Sequence, residues 1–295
     1  MIEISKIYFS LGNKIETNFK IEKDFFLKKG SINRLTGIKQ RYISSKNETS
    51  ENLAIKVCKK LTNSDLKDIS HIISVSNTPS IKFPGISNYL SSYLKIKNVF
   101  CINLNAGCTG YVDAIMLAYD IINNNKKSKI LLITADTYSK FINKNNRSIK
   151  PLFSDGATAS IVRYNKKGFK SLKRVNINIA NSQKDLIFEN KEIIMNGPAI
   201  VSLSLKYVVP EIKKNSKDVD SVFIHQAGKI VYNLIKSKIN KRIFIPKNFE
   251  KFGNLVSSSI PVLLSKNFKS MKKSKKIILC GFGVGLSVSL LKLKR

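Results

Sequence analysis

Cys108 has the sequence context of a nucleophile. It lies in the segment NAGCTG (105–110), between an apolar strand-like run that ends near Leu104 and an apolar, helix-compatible stretch over 111–122. A thiol in the first turn of a helix faces unpaired backbone N–H groups and the positive end of the helix dipole, which favour the thiolate. The small neighbouring residues allow substrate and backbone to approach closely. The sequence therefore predicts attack on thioesters, with a buried core cysteine as the alternative.

Two further polar residues stand at similar junctions between predicted elements. His225, one of two histidines in the chain, follows a strand-like run over 221–224 and precedes a helix-like one. Asn254 opens a helix-like segment, so a helix N-cap is its simplest structural role. Ligands bind at strand ends in parallel sheets. Three polar groups at three such junctions together predict a catalytic site that contains Cys108, His225 and Asn254.

The other cysteines and the other histidine have no comparable context. Cys58, Cys101 and Cys280 fall inside helix or strand patterns and are predicted to be structural, and His71 begins an apolar strand and is predicted to be structural or exposed. The cysteines show no CxxC pairing or other metal spacing, which predicts reduced thiols and neither a zinc site nor a disulfide framework. The segment GFGVG (281–285) is a glycine-rich turn whose backbone N–H groups could hold a thioester oxyanion, with a plain turn as the alternative.

Strand-like runs that alternate with helix-length segments must position these residues. The pattern predicts parallel sheets covered by helices. The candidate strands are 71–75, 99–104, 130–134, 175–180, 221–224 and 277–280, and a pair of small-residue strands closes each half, around 157–162 and 285–291. The order of elements repeats without a residue-level repeat. The lysine-rich stretch 165–173 predicts a boundary, with residues 1–165 carrying the cysteine and residues 166–295 carrying the histidine and asparagine.

Composition limits the class of protein. A chain of 295 residues that is 43% hydrophobic should fold around a substantial core. No charged leader opens the sequence and the longest uncharged run (277–291) is short for a membrane span, so we expect a cytoplasmic protein without one. The formal net charge of +33 attracts polyanions. Because the lysines are dispersed and no nucleic-acid motif is present, we predict an acidic protein partner and no specific nucleic-acid binding.

Several short motifs resemble the beta-ketoacyl-[acyl-carrier-protein] synthase III family of the thiolase superfamily, in its order and at comparable spacing. They are TGI (36–38), FSDGA (153–157), MNG (195–197), HQA (225–227), FGN (252–254) and GFGVG (281–285). The resemblance covers nearly the whole chain. It implies an α/β, thiolase-like fold with two pseudo-duplicated halves in five layers (α-β-α-β-α), usually as a homodimer, with Cys, His and Asn meeting where the halves join.

The resemblance also implies a reaction. Cys108 would accept an acyl group, and His225 and Asn254 would support decarboxylation of a malonyl-type thioester and stabilise the enolate, which gives a decarboxylative Claisen condensation. The backbone N–H groups of Cys108 and Val284 would form the oxyanion hole. The expected substrates are acyl-CoA or acyl-carrier-protein thioesters and the expected partner is acyl carrier protein. No metal or redox cofactor is required.

Departures from the family pattern concern the substrate-binding positions. Ser31 and Leu35 stand where many of these synthases have a Trp and an Arg that grip the adenine of coenzyme A, and Gly228 replaces an Asn after His-Gln-Ala. These departures suggest a specialised branch that serves lipids, secondary metabolites or surface polysaccharides. The candidate substrate- or carrier-binding residues are Arg147, Lys229, Lys236 and Phe83.

Three alternative functions fit parts of the sequence. A papain-like protease has the same order of Cys, His and Asn, but the chain has no tryptophan and no Cys-Gly-Ser-Cys-type element. A thiolase-fold acyltransferase to a hydroxyl or amine would keep Cys108 and need no malonyl partner. An inactive relative would bind polyanions in a salt-dependent manner and form no acyl-enzyme.

Overall fold

Strands and helices alternate along most of the chain in the computed structural model, which describes residues 1–283 and 285–295. The strands are β1 (Ile2–Leu11), β2 (Lys14–Thr17), β3 (Gln40–Ile43), β4 (His71–Val75), β5 (Phe100–Leu104), β6 (Lys129–Asp136), β7 (Gly156–Tyr164), β8 (Lys170–Asn178), β9 (Leu186–Glu189), β10 (Glu192–Met195), β11 (Ser221–Ile224), β12 (Lys276–Gly283) and β13 (Ser287–Lys294). Strands β2 and β3 form one antiparallel pair, and β9 and β10 form another.

The helices cover the faces of the sheets and most are short. They are α1 (Asn18–Asp24), α2 (Ser31–Thr36), α3 (Ser50–Cys58), α4 (Asn63–Leu66), α5 (Ile86–Tyr93), α6 (Gly110–Asn124), α7 (Gly197–Leu203), α8 (Val209–Asn215), α9 (Lys229–Lys238), α10 (Phe249–Phe252), α11 (Ser259–Lys266) and α12 (Phe268–Lys273). A π-helical turn, Ser204–Val208, joins α7 to α8. No helix of the described residues is long and apolar enough to cross a membrane.

The first sheet has the strand order β1-β7-β6-β4-β5. Strand β4 runs parallel to β5 and to β6, while β7 runs antiparallel to β6 and to β1. Strand β6 is the central strand and all of its residues after Lys129 are buried. Burial of consecutive residues on a strand means that both faces of the sheet are covered.

The second sheet has the order β11-β12-β13-β8. Only β11 and β12 are parallel, and the other two pairings are antiparallel. The prediction of a parallel sheet was therefore wrong for most of this half. Only three residues separate β12 from β13 in the sequence, and so short a connection allows an antiparallel return but no parallel crossover.

The sheets and helices stack in five alternating layers, as the family resemblance implied. Alternate residues of β6 face opposite sides: Ile130 and Leu132 pack with α6 and α11, whereas Leu131 and Ile133 pack with α3 and α5. Strand β12 alternates in the same way, since Ile277 packs with α6 and α11 while Ile278 and Cys280 pack with α8 and α9. Helices α6 and α11 thus form a middle layer between the two sheets.

The predicted strands agree with the structure in position. The runs over 71–75 and 221–224 coincide with β4 and β11, and the others overlap observed strands at slightly different bounds. The strands of the two large sheets come from residues 2–164 and 170–294, and the start of β8 overlaps the lysine-rich stretch over 165–173. The predicted turn over 281–285 begins later than expected, because residues 281–283 still belong to β12.

Candidate active site

Cys108, His225 and Asn254 line one cavity of about 1020 Å³. Cys108 precedes α6 in the middle layer, His225 follows β11 of the second sheet, and Asn254 lies between α10 and α11. The structure therefore brings together the three residues that the sequence singled out, although 146 positions separate the first from the last. Most of the remaining lining is apolar, including Leu27, Ile32, Leu152, Phe153, Leu186, Met195, Ile200, Val201 and Leu205.

The turn that carries Cys108 is held against the end of β12. Cys108 lies in a 3-10 turn, Gly107–Thr109, directly before α6, and it is 4% exposed. A Cβ atom at Gly281 would lie 2.6 Å from the Cys108 carbonyl oxygen, and one at Gly283 would lie 3.0 Å from its Sγ. Gly283 also has a φ of 145°, which disfavours any residue with a side chain. The glycines of the GFGVG segment thus allow the thiol to face the cavity.

The other three cysteines lie outside the cavity. Cys58 and Cys280 are buried, and burial raises the pKa of Cys58 to about 12 and raises the pKa of Cys280 as well. A thiol with so high a pKa is not a nucleophile at neutral pH. Cys101 lies on the edge strand β5. These placements agree with the structural roles predicted for all three.

His225 is a buried neutral imidazole. Its backbone N–H donates to the carbonyl of Cys280 at 2.9 Å, and its ring meets that of Phe282 edge-on, with the centroids 5.5 Å apart. Burial lowers the pKa of His225 to about 3, so the ring is uncharged at neutral pH. Nδ1 is buried and has no hydrogen-bond partner among residues 1–283 and 285–295. His225 lines the cavity, and Nε2 is its other ring nitrogen.

Asn254 belongs to a tight segment with a fixed orientation. Its N–H donates to the carbonyl of Leu152 at 2.9 Å, and its carbonyl accepts from the N–H of Ser154 at 2.8 Å. Its side-chain Oδ1 accepts from the N–H of Val256 at 2.9 Å, which leaves the Nδ2 amino group as the donor that can serve a ligand. Helix α11 begins only at Ser259, so the alternative role as N-cap of that helix was wrong.

The predicted substrate-binding residues divide into two groups. Arg147 and Lys229 line the cavity. Lys236 and Phe83 do not belong to the described lining: the Lys236 ammonium lies 5.8 Å from the ring centroid of Tyr232, and Phe83 is 90% exposed. Within one chain, the structure therefore places neither Lys236 nor Phe83 against the cavity.

Part of the mouth of the cavity is apolar. Leu35, Leu205 and Ile230 each line it and are more than half exposed. Sequence reasoning named Leu35 but missed the other two. Ile230 follows Lys229 on the helix after His225 and could have been found from that position, whereas Leu205 lies in the π-helical turn far from any motif.

One predicted oxyanion donor, the backbone N–H of Val284, lies outside the described residues. The hydroxyl-bearing residues of the described lining are Ser31, Thr36, Ser148 and Ser202. No group of three or more His, Cys, Asp or Glu side chains in the described part of the chain could hold a metal ion.

Comparisons with known proteins agree with the fold and the motifs. The family described as 3-Oxoacyl-[acyl-carrier-protein (ACP)] synthase III matches residues 102–178, and its C-terminal counterpart matches residues 211–294. Beta-ketoacyl-[acyl-carrier-protein] synthase III of Clostridium perfringens is 31% identical over 289 residues, covering 87% of each chain. The enzyme of the same name from Streptococcus agalactiae is 30% identical over 283 residues, again covering 87% of each.

A solved structure shows the same architecture. The 3-oxoacyl-[acyl-carrier-protein] synthase III from Aquifex aeolicus superposes with a TM-score of 0.89 at 25% identity, with both chains covered completely. The fold is therefore thiolase-like, as the sequence predicted. The papain-like protease alternative is excluded by this architecture.

Proposed function

Because this chain belongs to the 3-oxoacyl-[acyl-carrier-protein] synthase III family, we propose that it condenses an acyl group held on Cys108 with a malonyl-type thioester. Membership makes the chain an acyl-transferring condensing enzyme. The observation that supports the finer assignment is the shared cavity, in which a thiol, a neutral imidazole and a carboxamide reach one space from separate elements.

In the first half-reaction, the Cys108 thiolate attacks the carbonyl carbon of the donor thioester. A new C–S bond forms, the donor's C–S bond breaks, and the leaving thiolate takes up a proton from solvent. The proposed backbone donors are the N–H groups of Cys108 and Val284, which would stabilise the negative oxygen of the tetrahedral intermediate. The covalent intermediate divides a difficult step into two easier ones.

In the second half-reaction, His225 and Asn254 bind the malonyl thioester. His225 Nε2–H and Asn254 Nδ2–H donate to its thioester oxygen, where negative charge develops as carbon dioxide leaves. The resulting enolate carbon attacks the acyl carbon on Cys108. The C–C bond forms, the C–S bond to Cys108 breaks, and the thiolate is regenerated. A neutral imidazole is suited to this role because it donates without a permanent charge to desolvate.

We propose acyl carrier protein as the donor's carrier. The relatives are named for that carrier. The mouth of the cavity has an apolar rim and carries Arg147 and Lys229, whereas it lacks the aromatic and basic pair expected to grip adenine at Ser31 and Leu35. A basic surface on a chain of net charge +33 complements an acidic carrier. The substitutions at the mouth also favour the specialised branch over the initiation of fatty-acid synthesis.

We also propose that the chain forms a homodimer through the edge of the first sheet. Strand β5 is the last strand of that sheet, and Phe100 at its start is 63% exposed. An exposed apolar edge strand is normally covered in a soluble protein. Tyr93 and Phe83, which precede β5 in the chain, are also exposed aromatic side chains. Sedimentation analysis that finds only monomer at micromolar concentration would contradict this proposal.

The decisive experiment measures both half-reactions on the purified protein. Intact-mass analysis after exposure to acetyl, butyryl and longer acyl carrier thioesters should detect one adduct, which is lost in Cys108→Ala. Addition of malonyl thioester should then discharge the adduct and release carbon dioxide. Acylation without malonyl consumption would favour transfer to a hydroxyl or amine instead. Absence of any adduct, with salt-dependent binding to polyanions, would favour the inactive relative.

A further inference from the structure

A fully buried carboxylate lies behind the cavity. Asp136 is the last residue of the central strand β6, and it is 0% exposed. Burial of a carboxylate is unfavourable in free energy unless several hydrogen-bond donors contact its oxygens. Its Oδ1 accepts from the Asn77 N–H at 2.8 Å and from Thr78 Oγ1 at 3.0 Å, while its Oδ2 accepts from Ser257 Oγ. The two oxygens therefore hold two different chain segments.

The hydrogen bonds at Asp136 Oδ1 connect, through Asn77, to the segment that precedes Cys108. Asn77 accepts a hydrogen bond from the Tyr138 hydroxyl at 2.9 Å, and its amino group donates to Asn105 Oδ1. Asn105 lies three residues before Cys108, between β5 and the 3-10 turn. The turn of Cys108 is also held independently by the close approach of Gly281. Loss of one donor on this side therefore leaves the thiol in place.

The hydrogen bond at Asp136 Oδ2 connects, through Ser257, to the segment that carries Asn254. Ser257 lies three residues after it, in a 3-10 turn, Val256–Ser258. Val256 has a φ of 51°, which is unfavourable for a β-branched residue, yet its N–H fixes the Asn254 carboxamide. Such a conformation persists only when neighbouring bonds determine it. The hydrogen bond from Ser257 to Asp136 anchors the far side of this strained turn to the first sheet.

We propose that Asp136 is a positioning residue for decarboxylation, because it fixes the Asn254 carboxamide through Ser257. The inference rests on the proposed condensing function. Asp136 touches no substrate, since it lies outside the described lining of the cavity. Displacement of a catalytic group by about 1 Å can cost roughly 10²-fold in rate. Decarboxylation, which uses Asn254, should therefore suffer more than acylation of Cys108.

The test compares two identical substitutions around the same carboxylate. Ser257→Ala removes the hydroxyl donor on the Asn254 side and keeps the backbone N–H of residue 257. Ser76→Ala removes a weaker donor on the opposite side, whose Oγ lies 3.4 Å from Asp136 Oδ1. Acylation is followed by intact mass and decarboxylation by carbon dioxide release. We expect Ser257→Ala to lose about tenfold or more in decarboxylation, with acylation within about twofold of the parent. Ser76→Ala should stay close to the parent in both.

The outcomes separate this inference from the proposed function. A parent protein that acylates Cys108 but never consumes malonyl thioester overturns the proposed function and this inference with it. An active parent whose Ser257→Ala variant decarboxylates at the parent rate overturns only the positioning role. Equal losses in Ser257→Ala and Ser76→Ala, or equal losses in both half-reactions, would indicate general loosening of the fold and also overturn it.

Discussion

Gly283 faces Cys108 so closely that a Cβ atom at position 283 would lie 3.0 Å from Sγ and 3.1 Å from the cysteine Cβ. The last residue of β12 thus limits the space around the thiol. The contact joins a strand of the second sheet to the start of the middle-layer helix α6, so the position of the Cys108 thiol depends on both.

Gly283→Ala should slow acylation of Cys108. The added methyl group would crowd the thiol, and the φ of 145° would strain the backbone of any residue other than glycine. We expect a loss of about tenfold or more in the acylation rate, measured by intact mass. Gly197→Ala is the matched control, because Gly197 also lines the cavity but its added Cβ would meet nothing within 4 Å. Similar losses in both variants would contradict the steric explanation.

Substitution of the three cavity residues should separate the half-reactions. Cys108→Ala should abolish the acyl adduct and condensation while leaving slow decarboxylation of malonyl thioester, because enolate stabilisation does not need the thiolate. His225→Ala or Asn254→Ala should keep the adduct and lose about 10² to 10³ in decarboxylation, as at other oxyanion sites. Carbon dioxide release and intact mass measure the two steps. Condensation at the parent rate in either latter variant would refute the assignment.

The buried imidazole should make stability depend on pH. His225 has a folded pKa of about 3 and an unfolded value near 6.5, so its contribution to stability is complete above pH 6.5 and is lost as the pH falls toward 3. Relative to His225→Gln, the parent should lose about 2 kcal/mol of unfolding free energy between pH 7.5 and pH 5. Urea unfolding of both proteins at both pH values measures this difference.

The comparison of the two proteins isolates the histidine. Burial raises the pKa of Asp136 to about 6 against an ordinary value of 3.8, so its contribution has the opposite sign and is lost as the pH rises through 6. Because Asp136 is present in both proteins, its effect cancels in the difference. A difference that does not change between pH 7.5 and pH 5 would mean that His225 has the same pKa in the folded and unfolded states, and would contradict the lowered pKa.

Charge reversal at the mouth should weaken binding of the carrier protein more than it slows the chemical steps. Lys229→Glu should reduce the use of a carrier-protein thioester by about tenfold at low salt and leave a small soluble thioester nearly unaffected, since a rim charge mainly guides an acidic partner. Lys236→Glu should have a smaller effect because Lys236 lies outside the described lining. Lys126→Glu, beyond the C-terminal end of α6, is the control of equal charge change. Equal loss on carrier and small thioester would contradict docking.

The three cavity residues could be predicted because their sequence signals are local. Cys108, His225 and Asn254 each follow a recognisable strand or glycine turn. Their positions at the ends of elements can therefore be predicted from the local sequence. The antiparallel pairing of β8 and β13 could not be predicted, since it joins residues more than 100 positions apart. Strand β1 was missed because a register shift between Ile4 and Lys6 interrupts its alternating pattern.

The role of Asp136 had no sequence signal. Its donors come from positions about 60 residues before it and 121 residues after it, and only folding brings them to one carboxylate. The same holds for Leu205 at the mouth, whose exposure depends on the π-helical turn that joins α7 to α8. Neither position carries a motif that could have revealed it.

The hydrogen bonds of the Asn254 segment affect how the protein unfolds. Asn254 belongs by sequence to the second predicted half, yet its backbone is bonded to Leu152 and Ser154, and the neighbouring Ser258 Oγ lies 2.7 Å from Thr134 Oγ1 of the first sheet. Separation of the two predicted halves would require these hydrogen bonds to break before either sheet lost a strand. Heat or denaturant should therefore abolish turnover and tertiary structure in one event, and limited proteolysis at the lysine-rich stretch should release no active fragment.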